Sequence, residues 1–217
     1  LADRVRHEIA NGRPEAALTL AARAGVEGAE ACEVVHLRGG ILEKQGNKTE
    51  AARLFQRHVG TCTPACLCLK DYGRLLREGK YYQEALRILE QAMAADPSDP
   101  RAALHLGLAA EALGHTERAR DALAHAYVAC EPDKEVAYYL GRLYTNLGQY
   151  AEAEAVLDWA AATWPDTGWL QYGASVCKQK QGKLDEALGY VRQALKVQKT
   201  PKFMRQLEKL MAECDAS

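Results

Sequence analysis

An all-α array of repeated helix–turn–helix units is the fold class this sequence predicts, and three observations predict it. Alanine recurs at Ala17, Ala51, Ala85, Ala119, Ala153 and Ala187, each 34 residues after the last. A second series of small residues, Gly39, Gly73, Gly107, Gly141 and then Ser175, keeps the same interval, with Val5 at its first place. Between these markers leucine and alanine return every three or four residues, the spacing of one apolar helix face. Six units cover residues 1–199 in one array, and residues 200–217 form a further helix.

The first repeat, like the sixth, is carried by its phase rather than by single residues. The second holds Gly39, Ala51 and Phe55. Its third alanine place, in the series Ala24, Ala92, Ala126, Ala160 and Ala194, is taken by His58. The junction that follows, HVGTCTPACLCLKDYG, is less regular, and a bend in the array is expected there. The third repeat keeps Gly73, Ala85 and Pro97, but Gly79 falls one residue early and leaves Lys80 at the usual glycine place of the turn. Gly107, Gly114, Ala119 and Ala126 mark the fourth.

The fifth repeat is the clearest. VAYYLGRLYTNLG reads as a first helix and YAEAEAVLDWAAATW as a second. Gly148 lies between them, where a left-handed residue is cheap only for glycine. Pro165 stops the second helix, because proline lacks an N–H and disfavours helix at the residue before it. The small residues at fixed places let two helices cross closely. The sixth repeat has Ser175 for glycine and Lys199 for proline. Beyond Thr200-Pro201, the residues Phe203, Leu207, Leu210 and Met211 form an apolar stripe with Lys202, Arg205, Glu208 and Lys209 outside it. A helix of this kind suits the end of an array, which must cover its last apolar face.

Leu140, Gly141, Tyr144, Ala153 and Pro165 stand at five of the seven marked places of W-x2-L-G-x2-Y…A-x3-F…P, and in this the chain resembles the tetratricopeptide repeat family. The resemblance implies a right-handed α-solenoid whose first helices line a concave face, and a non-catalytic scaffold that grips a partner peptide or helix there. Placed on that pattern, Lys70, Arg74 and Arg77 lie on the groove side of the third repeat and Arg101, Leu104 and Leu108 on that of the fourth. Tyr138, Arg142 and Asn146 follow from the fifth, and Trp169, Tyr172 and Val176 from the sixth. Arginine, tyrosine and tryptophan dominate binding energy at interfaces, so a partner with acidic and apolar elements is expected. The alternative for Tyr138 and Tyr172 is packing between neighbouring first helices, and for Arg142 a solvated charge.

CEVVHLRGG, QGNKTEAARLFQ and LKDYGRLLREGKYYQEAL also resemble, in order and spacing, the early repeats of the tetratricopeptide subunit of the Bardet–Biedl ciliary coat. That second resemblance implies a soluble subunit in membrane-protein traffic at a cilium. A co-chaperone role is not expected. The dicarboxylate clamp for the C-terminal peptide of the Hsp70/Hsp90 chaperones needs cations in its third repeat. Starting from Lys70 and Arg74, this sequence offers His105 and then Glu135 and Tyr139.

The formal net charge of −1 argues against a dedicated nucleic-acid binder. No apolar run approaches the ~20 residues of a membrane span, so direct membrane insertion is not expected. Seven cysteines, an odd count, fit thiols used as small buried hydrophobes in a reducing, cytoplasmic setting. The helix start HEIAN at His7 lacks a second histidine, and no phosphate-binding glycine loop is present. His58, Cys62, Cys66 and Cys68 form the one metal-like cluster, but their spacing matches no standard zinc knuckle and buried structural cysteines are the expected reading. No catalytic residue, cofactor or metal is expected. Two further readings stay open: the docking or regulatory part of a larger enzyme, and a self-associating array, since the first helix starts without an obvious cap.

Overall fold

The computed structural model describes residues 1–22, 29–59, 66–129 and 133–215, the side chains of residues 29–31 and 66 excepted. Every regular element among them is an α-helix. The first two repeats supply α1 (Ala2–Ala10), α2 (Pro14–Ala22), α3 (Ala29–Lys44) and α4 (Lys48–His58). The next two supply α5 (Cys66–Glu78), α6 (Tyr82–Ala95), α7 (Pro100–Ala112) and α8 (Thr116–Ala129). Then come α9 (Lys134–Asn146), α10 (Tyr150–Thr163), α11 (Gly168–Lys180), α12 (Leu184–Val197) and α13 (Pro201–Asp215). Successive helices pack on one another from α1 to α7 and again from α9 to α13, as the α-solenoid class requires. The chain divides into two compact units, Leu1–Ala122 and Leu123–Ser217, and the division falls within α8.

Each hairpin turns through one left-handed residue at the same place in the period: Gly12, Gly46, Gly114, Gly148 and Gly182, with φ between 70° and 83°. In the third repeat that place belongs to Lys80, at φ 66°, although Gly79 precedes it. The geometry of the turn thus holds the phase even where the residue type does not. Backbone bonds close the turn in the same way in both cases. The N–H of Tyr81 reaches the Leu76 carbonyl at 2.9 Å, and that of Gln149 reaches the Tyr144 carbonyl at 3.0 Å.

The crossing within a hairpin is set by a pair of residues sixteen apart. A Cβ at Gly73 would lie 2.5 Å from Cγ of Leu89. Gly39 faces Phe55 and Gly141 faces Leu157 in the same way, each with overlap if a Cβ is added. Where the first member of the pair is larger, the second is smaller. Val5 goes with Ala21 in one buried cluster, and Ser175 with Val191, all four buried. Ser175 keeps its place by donating from Oγ to the Ala187 carbonyl at 2.9 Å.

Two helix starts after inter-repeat loops, those of α7 and α9, are capped by aspartates, whereas Thr167 before α11 makes no side-chain cap. Asp99 Oδ1 accepts from the N–H of Arg101 (2.8 Å) and Ala102 (3.2 Å), and Asp133 does the same for Glu135 (2.7 Å) and Val136 (3.2 Å). Trp164, the residue before Pro165, leaves helical geometry and ends α10.

In the second unit α13 lies on α12, with Phe203 and Leu210 in one cluster with Ala187, Val191 and Ala194, and Leu207 partly buried against it. The stripe expected on α13 is corrected at one place. Met211 is exposed, and the buried face is completed instead by Gln206, whose Nε2 donates to Oε1 of Gln179 at 2.9 Å. A second polar tie joins α10, α11 and α12. Lys178, 3% exposed at its side chain, sets Nζ 2.5 Å from Glu154, 2.9 Å from Asp158 and 2.9 Å from Glu186.

Candidate partner-binding site

The two halves of the expected groove differ in character, and each is described within its own unit. In the first unit two residues of the expected basic stretch, Lys70 and Arg74, are already answered by acids. Lys70 Nζ lies 2.9 Å from Asp99. Arg74 reaches Glu43 at 2.6 Å and Glu78 at 2.8 Å. For Asp99, burial pushes the carboxyl up, but the ammonium of Lys70 and the capping N–H groups outweigh it and the pKa falls. Leu104, 1% exposed, is a core residue, and Leu108 is buried as well, so neither side chain is offered to a partner. Their helix needed both leucines inward because α5 and α6 both pack on it. Arg101 is exposed, whereas Arg77 is half-buried. Between them His105 is held down to about 3, first by burial and then by the fields of Arg77, Arg74 and Arg101. Its Nδ1 is buried without a hydrogen-bond partner among the described residues.

In the second unit the expected residues come together. Tyr138, Arg142 and Asn146 recur every fourth residue on α9, which puts them on one side of the helix. Tyr172 and Val176 do the same on α11. These five line one pocket of about 240 Å³ with Thr145, Gly173 and Lys202. Trp169 does not line it but supports it, its ring standing edge-on to Tyr138 at 4.9 Å between centroids. Tyr138 also meets Tyr139 edge-on at 5.4 Å.

Three lining residues were missed by the sequence reading, and each has a physical role. Gly173 lies outside the repeated glycine series; a Cβ there would stand 3.2 Å from the Tyr138 ring, so its absence lets the ring lie on α11. Thr145 is buried and donates from Oγ1 to the Gly141 carbonyl at 2.8 Å, which satisfies its hydroxyl within α9. Lys202 comes from α13 and holds Nζ over the Tyr172 ring, 4.4 Å from its centroid. Tyr172 also stacks on Phe203 at 5.3 Å between centroids. Burial pushes the Tyr172 hydroxyl up. Arg142 in turn sits over Tyr139, 5.1 Å from its centroid. The pocket therefore has cations from two helices at its rim and aromatic and aliphatic groups in its wall. Such a site can hold a carboxylate at the rim and an apolar group inside.

Of the metal-like cluster, Cys62 lies outside the described residues, and so does most of the junction where a bend was expected. Cys68 is buried with Sγ directed at the Cys32 carbonyl, 3.9 Å away, and His58 bonds the Leu54 carbonyl through Nδ1 at 2.8 Å. Among the described residues no group of three or more potential ligands is gathered, and no helix is long and apolar enough to cross a membrane.

No curated protein sequence matches the chain. Solved structures do. TTC0263, a tetratricopeptide-repeat protein of Thermus thermophilus, is 23% identical, with 80% of this chain and 95% of that one covered and a TM-score of 0.65. YrrB, described as a TPR protein with an unusual peptide-binding site, is 19% identical over 81% of this chain and 91% of its own, at a TM-score of 0.67. MamA is 20% identical over 73% and 93%, at 0.65. At these identities the likeness is one of fold. One tetratricopeptide-repeat family model matches residues 75–126 and a second matches residues 3–65 and 138–202. The second alone takes in more than half of the chain, which belongs to the tetratricopeptide-repeat family.

Proposed function

We propose that this chain is a non-catalytic protein-interaction scaffold whose recognition site is the pocket of the second unit, and that its partner presents an acidic side chain next to an apolar one. The observation that carries this reading is the convergence of Arg142 and Lys202 around a wall of Tyr138, Tyr172 and Val176. Half-buried aromatic rings backed by other rings lose little freedom on binding, and the cations above them select for negative charge. In this reading α13 has two roles: it covers the apolar face of α12 and supplies one of the two rim cations. The family supports the interaction class, since stacked helical hairpins present extended surfaces to partners.

The test is a pull-down from lysate with the native chain beside an Arg142→Glu, Tyr172→Ala, Lys202→Glu triple variant of unchanged helicity. Arg74 is left native because Glu43 and Glu78 already hold it, and its loss would report folding. A partner held by the native chain and lost by the variant supports the pocket. A partner held equally by both places recognition elsewhere and removes this site.

A further inference from the structure

One described cavity of the first unit is basic and is lined mainly from α4, the second helix of its hairpin. It encloses about 480 Å³ between the C-terminal half of α3 and the length of α4. Arg38 reaches it from α3, and Arg53 and Arg57, one turn apart, reach it from α4. None of these three arginines makes an ion pair or a side-chain hydrogen bond with a described residue, although Arg38 is half-buried. By contrast Lys48, on the same rim, is held by Glu78 at 2.7 Å. Glu50 is the single carboxylate among the lining residues. Elsewhere in this unit the half-buried Lys70 and Arg74 have acids within reach, whereas the half-buried Arg77 keeps a buried Nε without a partner among the described residues. What sets this cavity apart is that three guanidinium groups line it together without an acceptor among the described residues.

We infer that this cavity binds a phosphorylated side chain of a partner protein, a phosphoserine or phosphothreonine. One arginine fork satisfies both oxygens of a carboxylate, whereas a phosphate monoester brings roughly two charges and three acceptor oxygens and so matches three guanidiniums. Arginine rather than lysine at all three places fits this planar, two-point recognition. A membrane headgroup is the weaker match. Surface attachment to a bilayer also uses apolar side chains that enter it, and none of the exposed large hydrophobic residues lines the cavity. The inference stands apart from the second-unit pocket and does not depend on it.

The test titrates the isotope-labelled chain with a capped Gly-Ala-phosphoserine-Ala-Gly peptide and follows the arginine Nε–H resonances by NMR. The peptides carrying serine and glutamate instead serve as comparisons. Saturable shifts at Arg38 and Arg57 with the phosphopeptide are expected, with affinity lower by about tenfold or more in Arg38→Gln and in Arg57→Gln. Arg57 is exposed, so its variant keeps the test open if Arg38→Gln fails to fold. Arg192→Gln, on an exposed place of α12, should bind as the native chain does. Equal binding of the glutamate peptide, shifts that never saturate, or phosphopeptide affinity unchanged in both variants would overturn the proposal. So would Arg38-dependent binding to phosphatidylcholine vesicles containing phosphatidylinositol bisphosphate, with none to the peptide, which would make the cavity a headgroup site.

Discussion

Adding one methyl group at Gly141 should lower stability in the native chain and raise it once Leu157 has been trimmed. In the native crossing the new Cβ overlaps Cγ of Leu157, which is fully buried and has nowhere to go. Overpacking of this sort costs roughly 1–3 kcal/mol. Against it stands the helix preference for alanine over glycine, about 1 kcal/mol in an interior position. Gly141→Ala alone should therefore destabilise by about 1 kcal/mol. Leu157→Ala alone opens a cavity and should remove about 2–5 kcal/mol. In that background the overlap is gone, the added methyl fills part of the void, and helix preference acts unopposed. The second substitution should then restore about 1 kcal/mol. The assay is urea unfolding followed by tryptophan fluorescence. Trp159, Trp164 and Trp169, the only tryptophans, all lie in the second unit with the crossing. A coupling of about 2 kcal/mol with this change of sign is expected for residues in contact. If Gly141→Ala acts with the same sign in both backgrounds, the crossing is not limited by this contact and the size-matching argument fails.

The turn at Lys80 gives a second prediction. A left-handed lysine is strained by roughly 1–2 kcal/mol, and glycine gives back part of that gain in the unfolded chain, about 0.5–1 kcal/mol. Lys80→Gly should thus stabilise by about 0.5–1 kcal/mol and Lys80→Ala by nothing, read by urea midpoints from far-UV circular dichroism. A loss on Lys80→Gly would show that the lysine side chain holds the turn. Lys178→Met should cost about 2 kcal/mol or more, because Glu154, Asp158 and Glu186 are left facing one another without their shared cation. The acid limb of stability carries the same signature. Glu154 is held down to about 2, first by the hydrogen bond from Lys178 and then by that from Lys183. A carboxyl whose folded pKa is depressed contributes stability above its unfolded value, about 4.3, and loses it as pH falls toward the folded one. Glu154→Gln should flatten the decline in second-unit stability between about pH 4.5 and pH 2, and an unchanged profile would mean the pair is too solvated to matter.

The repeat was legible because two demands recur every hairpin, a left-handed residue in the turn and a matched pair at the crossing. Lys80 and Ser175 show that the demand is geometric. The sequence pattern tolerates another residue there, and the backbone still makes the turn or the crossing. Lys202 and Gly173 were not legible for the opposite reason. The terminal helix carries no phase against the repeats, so nothing in its pattern says which residue reaches α11, and Gly173 answers one tyrosine ring rather than a recurring contact. The ion pairs that neutralise Lys70 and Arg74 lie between these cases. Stacked hairpins place a residue beside those about one period away and one turn back, and five polar contacts follow that rule, although others, such as His36 with Asp71 at 35 and Lys178 with Glu154 at 24, do not. Lys70 meets Asp99 at a separation of 29, Arg74 meets Glu43 at 31, Lys48 meets Glu78 at 30, Gln45 meets Glu15 at 30, and Lys183 meets Glu154 at 29. A single repeat read alone shows only cations on a face. The separation alone does not say which cations are held: Glu8 and Glu27 stand 30 residues before Arg38 and Arg57, and Glu84 stands 31 after Arg53, yet none of these arginines makes an ion pair with a described residue. The physical content of the period is therefore electrostatic as well as steric: it brings acids and cations to neighbouring hairpins, the geometry of each crossing decides which of them meet, and the cations left over mark where a ligand can add something the fold has not already supplied.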